Sequence, residues 1–190
     1  MERKDFLRNG LAALGLASIV PLACSKDDVT TPATTTGTTE TGDCTVSPTE
    51  TAGPFPTKSP SSFVRSDIRD DRTGVDLTVK FTILNTNNSC SALSGAIVDI
   101  WHCDKDGYYS EYGGSGMQSV DYTSVNFLRG RQTTDADGLV TFTSIFPGWY
   151  SGRAPHIHVH VYNSGGTSLL VTQVEFPTDV CNTVYTTCSQ

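Results

Sequence analysis

Basic side chains are in deficit. Thirteen Lys and Arg stand against 20 Asp and Glu, a formal charge of -7, and no basic stripe runs along the chain. An acidic surface repels phosphate backbones, so nucleic acid is excluded as a partner. Helical periodicity is missing outside the first two dozen residues. No internal repeat is visible, which excludes a solenoid or propeller. The one long apolar run, residues 11–23 (LAALGLASIVPLA), is too short for a comfortable transmembrane helix. The cysteine spacings do not resemble zinc knuckles.

What is present is turn chemistry. Seventeen Gly and 9 Pro, with 37% hydrophobic and 17% charged residues, fit an ordinary globular chain of many short segments. Residues 75–84 (VDLTVKFTIL) alternate and are rich in β-branched side chains. Residues 96–103 (AIVDIWHC) follow a Ser94-Gly95 turn, and residues 139–145 (LVTFTSI) follow the turn signal DADG. Residues 157–162 and 169–176 complete the pattern. Short strands with a turn about every ten residues predict an all-β fold, an antiparallel β-sandwich.

The amino terminus reads as a targeting segment. Arg3, Lys4 and Arg8 precede the apolar run, which ends in Leu22-Ala23-Cys24. Residues 1–23 resemble a lipoprotein-type signal peptide, and Cys24 becomes the expected lipidation site. Ser25-Lys26-Asp27-Asp28 resembles a tag that sends some Gram-negative lipoproteins outward. The expectation is an exported, outer-membrane-anchored lipoprotein, periplasmic or cell-surface, touching the membrane only through its lipid. Residues 24–43, rich in Thr, have too few apolar groups to order and read as a flexible tether. Residues 44–190 form the expected folded domain. Export makes disulfides plausible. Cys44 and Cys90 are placed to tie the leading arm to the domain, and Cys181 and Cys188 to staple a carboxy-terminal loop. Cys103, between strand residues, is then a buried free thiol.

The chemistry concentrates in PGWYSGRAPHIHVH, residues 147–160. On a strand, residues two apart face the same side, about 6.6 Å apart. His156 and His158 can therefore converge on one metal ion, with His160 one step farther along that face. No carboxylate lies close by in sequence, unlike a two-His-one-carboxylate iron site. Asp99 and Asp104 read as solvent-facing or turn residues. The nearby donors are phenols: Tyr150, and the cluster GYYSEY at residues 107–112. Tyr108 and Tyr109 point to opposite faces, so only one of them can enter a given site. Two phenolates with two imidazoles make a hard, anionic set that favours ferric over ferrous iron.

Four segments taken in order, TETAGPFP, IWHCDKDGYYSEY, FLRGRQTTDADG and PGWYSGRAPHIHV, resemble the intradiol ring-cleavage dioxygenases from about residue 44 to residue 180. The resemblance is to the compact protocatechuate type, without the long helical amino-terminal segment of the catechol 1,2-dioxygenases. It implies Fe(III) as cofactor, with Tyr109, Tyr150, His156 and His158 as ligands, Tyr150 being the one that leaves when substrate binds. It also implies Arg153 against the bound ring, Gln173 behind the ligands, and Pro54 and Phe55 in a loop that walls the pocket. Phe55 stands where the family often has Tyr, so a less polar rim is expected. The partners implied are a small aromatic diol and O2. Oligomeric state and the particular diol stay open.

Two other readings share part of this pattern. Residues 94–150 also fit the looser pattern of exported binding modules related to transthyretin, but such modules have no need of Tyr109, Arg153, His156 and His158. A zinc hydrolase would use His-x-His, but no carboxylate with motif-level placement accompanies it.

Overall fold

The computed structural model describes residues 44–150 and 152–188. The expected signal peptide, Cys24 and the tether lie outside the described residues. Eight strands carry the fold: β1 (Asp76–Thr82), β2 (Leu84–Asn85), β3 (Ser91–Ala92), β4 (Ile97–Trp101), β5 (Arg129–Thr133), β6 (Leu139–Ile145), β7 (His156–Tyr162) and β8 (Ser168–Glu175). One helix follows, α1 (Thr178–Thr187). The main sheet runs β5-β4-β7-β8, β1 pairs with β6, and β2 with β3, all antiparallel.

The period-2 pattern explains why these segments pair as they do. Val98 and Ile100 of β4 and Ile157, Val159 and Val161 of β7 turn to one face of the main sheet. There they pack against Val79 of β1 and Val140, Phe142 and Ile145 of β6 in one buried cluster. This is the antiparallel sandwich, with its core between the β1-β6 pair and the main sheet. The alternate residues point away from the core. Trp101, His156, His158 and Gln173 share that outer face, because Trp101 pairs with His158 on one side and Gln173 with His158 on the other.

Three expectations are corrected. The segment after β8 is a helix, although its sequence TDVCNTVYTT shows no clear apolar period. Its stability comes from packing: Val184 is buried, and the Tyr185 ring lies 5.7 Å from Phe146 and 4.9 Å from Trp149. The Cys181–Cys188 staple does not form. Cys181 is a free thiol. Seven residues of helix separate their Cα atoms by about 10 Å, beyond what a disulfide spans. Asp99 is buried in strand β4 rather than solvent-facing or in a turn, while Asp104 is a turn residue as expected, though buried. Asp99 takes a bidentate pair from Arg131, with distances of 2.5 and 2.7 Å. Asp104 accepts the backbone N–H groups of Asp106 and Tyr108. Cys44 and Cys90 are joined, with an S–S distance of 1.99 Å, and Cys103 is a buried free thiol.

Candidate metal centre

The outer face of the main sheet is roofed by two loops. One runs through Ala52 and Phe55, the other through Tyr109 and Tyr112. With Trp101, Cys103 and Tyr150 they form a second, smaller buried cluster. His156 and His158 sit beneath this roof, both buried. Their Nε2 atoms lie 3.1 Å apart, and the Tyr109 hydroxyl lies 3.5 Å from the first and 3.4 Å from the second. Nitrogen and oxygen ligands sharing a first-row ion at roughly 2.0–2.2 Å stand about 3.0–3.5 Å from one another. The three atoms therefore have the spacing of ligands around one cation.

The protonation states suit that role. His156 Nδ1 lies 2.6 Å from the Ala154 carbonyl, which can only accept, so the proton sits on Nδ1 and the Nε2 lone pair faces the site. Burial holds His156 below its ordinary pKa and, with the neighbouring His156 and Arg153 charges, drives His158 down to about 3. Both imidazoles are neutral at physiological pH and free to ligate. Burial, then the Cys103 and Tyr150 charges, push the Tyr109 phenol above its usual value. A multivalent cation reverses that order, since its charge outweighs the cost of burying the phenolate. His158 Nδ1 is buried with no hydrogen-bond partner among the described residues. Also among the described residues, no group of three or more His, Cys, Asp or Glu could hold a metal. A metal here depends on phenol oxygen beside the two imidazoles.

The other expected residues take distinct positions. Tyr150 is half-buried, its ring centroid 5.8 Å from both Tyr109 and His156. Phe55 is buried and stacks on Tyr109 at 4.7 Å, while Pro54 beside it is exposed. Arg153 is exposed and donates to Gln173 Oε1 at 2.5 Å, and Gln173 donates in turn to the Thr51 carbonyl. The pair thus links the His158 strand to the Phe55 loop. His160 faces outward beyond the site, bonded to Ser168 and Tyr162.

Four supporting residues escaped the sequence reading. Trp101 stacks on His158 with ring centroids 4.9 Å apart and planes 3° from parallel. Gln118 brackets Tyr109, accepting its N–H at 2.7 Å and donating to its carbonyl at 2.8 Å. Arg129 is fully buried; it donates to Ser110, Thr57 and the Phe55 carbonyl, and pairs with Glu111 at 3.1 Å. It ties the two roof loops together. Gly53 has φ +69°, and a Cβ there would lie 2.8 Å from His158 Cε1, so the loop closes over the imidazole only with glycine. Arg129, Trp101 and Gly53 lie inside the quoted motifs FLRGRQ, IWHCDKDGYYSEY and TETAGPFP, a signal available in the sequence; Gln118 lies outside them, and its role depends on the loop's folding.

By fold and by site this is an all-β domain whose donor set fits a mononuclear first-row metal. The comparisons with known proteins narrow it. The family model described as "Dioxygenase" matches residues 51–187. The chain is 29% identical over 146 residues to a chlorocatechol 1,2-dioxygenase of Rhodococcus opacus, covering 66% of this chain and 52% of that protein. Among solved structures it resembles an intradiol ring-cleavage dioxygenase from Tetranychus urticae, with TM-score 0.68 and 32% identity over 76% of this chain and 71% of that one. It also resembles the dioxygenase domain of a carbohydrate-binding fusion protein from Streptomyces sp. SirexAA-E, with TM-score 0.54 and 29% identity over 74% and 82% of the two chains. The chain belongs to the intradiol ring-cleavage dioxygenase family. It spans about half the length, or less, of the curated relatives it matches.

Proposed function

We propose that this chain binds ferric iron through Tyr109, Tyr150, His156 and His158. With O2 it would cleave a catechol-type ring between the two hydroxyl-bearing carbons, giving a muconate-type diacid that holds both oxygen atoms. The observation that carries the reading is the convergence of Tyr109 and both imidazoles within 3.1–3.5 Å beneath a roof of aromatic rings.

When bound, ferric iron supplies Lewis acidity to a coordinated diol and ionises the phenols in contact with it. The chain's own residues do the rest. His156 and His158, fixed by Ala154 and by stacking on Trp101, hold the metal in one orientation. Tyr150, the less buried of the two phenols, accepts one of the diol's two protons at its Oη. Phe55 and Trp101 exclude water from the buried side. The Arg153 guanidinium, oriented by Gln173, offsets negative charge that develops on the ring.

The test is oxygen uptake by the iron-loaded chain with catechol and chlorocatechol. The expected result is one O2 consumed per ring, a diacid product, and no uptake by His158→Ala. An iron-loaded chain that takes up no oxygen with either ring contradicts the proposal. We propose in addition that export and lipidation at Cys24 place the domain outside the cytoplasm. Metabolic labelling with a radioactive fatty acid, present in the native chain and absent in Cys24→Ala, is the result expected; unlabelled native chain contradicts it.

A further inference from the structure

Trp149 is 53% exposed, yet it is not a loose surface side chain. Its ring meets Tyr185 of α1 edge-on at 4.9 Å, and the Tyr185 hydroxyl donates to the Pro147 carbonyl at 2.5 Å. Burial, with the Cys181 and Cys103 charges behind it, raises that hydroxyl well above its usual pKa, so it stays a neutral donor. The backbone on either side is fixed as well. Gly148 N–H donates to the Asp104 carbonyl at 2.9 Å. A Cβ on Gly107, whose φ is +88°, would lie 2.3 Å from the Trp149 carbonyl oxygen. The two loops meet backbone to backbone and hold the indole in place.

That indole borders a cleft of about 220 Å³, which Phe55, Tyr108, Met117, Trp149 and Tyr150 line together with Asp106. Phe55 and Tyr150 belong also to the metal centre, so the cleft leads from it toward solvent between Trp149 and Met117, the latter 67% exposed. The volume is below the roughly 300–1,000 Å³ of drug-sized pockets and suits one ring with a substituent reaching the rim. Large apolar side chains that stay exposed while rigidly held are a mark of binding surfaces. Charge narrows the choice. The lining holds one carboxylate, Asp106, and no cation. The neighbouring Lys105 ammonium is bonded to that carboxylate at 3.2 Å, and the Arg153 guanidinium to Gln173. Neither side chain lines the cleft, so no cation there meets a carboxylate on the ring.

We propose that Trp149 and Met117 form a rim that selects catechols bearing a neutral apolar or aryl substituent and disfavours carboxylated ones. This rests on the ring-cleavage reading and names its substrate class. A substituent para to one hydroxyl would leave the diol at the metal centre and lie across the indole face, gaining contact area without any new charge.

The experiment uses the iron-loaded full chain with three probes: catechol, 4-phenylcatechol and 3,4-dihydroxybenzoate. Anaerobic titration calorimetry gives affinities, and oxygen uptake gives kcat/KM. The expected order in both is 4-phenylcatechol, then catechol, then 3,4-dihydroxybenzoate. In Trp149→Ala the ratio of 4-phenylcatechol to catechol falls at least fivefold. Met117→Ser lowers the same ratio by a smaller factor and guards against a misfolded tryptophan variant. Turnover of catechol with 3,4-dihydroxybenzoate preferred, or with a phenyl-to-catechol ratio that neither variant moves, overturns the rim while leaving ring cleavage intact. No turnover of any of the three rings overturns both.

Discussion

The two faces of the main sheet share the same four strands and differ in nearly everything else. On the inner face Val98, Ile100, Ile157, Val159 and Val161 pack into an apolar core, where the shape of each side chain matters more than its chemistry. On the outer face Trp101, His156, His158 and Gln173 carry rings, lone pairs and hydrogen bonds under a roof of loops. One residue of offset along β7 separates stability from chemistry. A strand can therefore be mutated on one face with little effect on the function of the other.

The sharpest way to break that contrast is on the outer face. His158→Ala is expected to take iron stoichiometry from near one to near zero while the sandwich remains folded, as metal analysis beside circular dichroism would check. An iron-replete variant would contradict the ligand assignment. The mirror test is Ile100→Ala on the inner face, expected to destabilise by about 2–5 kcal/mol in denaturant titration with the iron site unchanged. A stability loss well under 1 kcal/mol would mean that this face is not the core.

A third test follows from His102 at the end of β4. Burial depresses its pKa from 6.5 to about 4, and its ring nitrogens are engaged by the Cys103 carbonyl and the Ser144 hydroxyl. Its folded pKa is below its unfolded value, so the unfolded chain binds the extra proton between these limits. Stability contributed by the neutral ring is full above about pH 6.5 and is lost as pH falls toward 4, by as much as roughly 3 kcal/mol. His102→Gln should flatten part of that slope; an identical slope in the variant would assign the acid sensitivity elsewhere. The smallest effect is expected at Gln173→Leu. It frees Arg153 without touching a ligand, and should lower kcat by about tenfold at unchanged iron content, the size of one charge-assisted hydrogen bond.

How much of this was legible in the sequence divides along similar lines. β6 and β7 could be read because alternation is written into consecutive residues, and the pairing of His156 with His158 follows from the same period. The helix α1 could not. Its Thr-rich, β-branched composition has weak helix propensity, and it is held by buried Val184 and by contacts of Tyr185 with Phe146, Pro147 and Trp149, nearly forty residues earlier. That same helix defeats the expected Cys181–Cys188 staple by holding the two residues apart. Asp99 was misplaced for a related reason. A carboxylate is read as solvent-facing until its partner is known, and Arg131, 32 residues away in the chain, reaches Asp99 only through the fold. Within the site, the imidazoles and phenols carry a chemical signature that a sequence displays. Trp101, Gln118 and Gly53 act through stacking, bracketing and close approach, which it does not.

The measurement that tests the central claim most directly is the visible spectrum of the iron-loaded chain, before and after catechol is added without oxygen. Ligation of iron by Tyr109 and Tyr150, as proposed, predicts an intense phenolate-to-iron band that shifts when catechol engages the same metal. A chain that takes up no iron, or takes it up without colour, would contradict a metal centre built on tyrosine and leave the paired histidines without their proposed role.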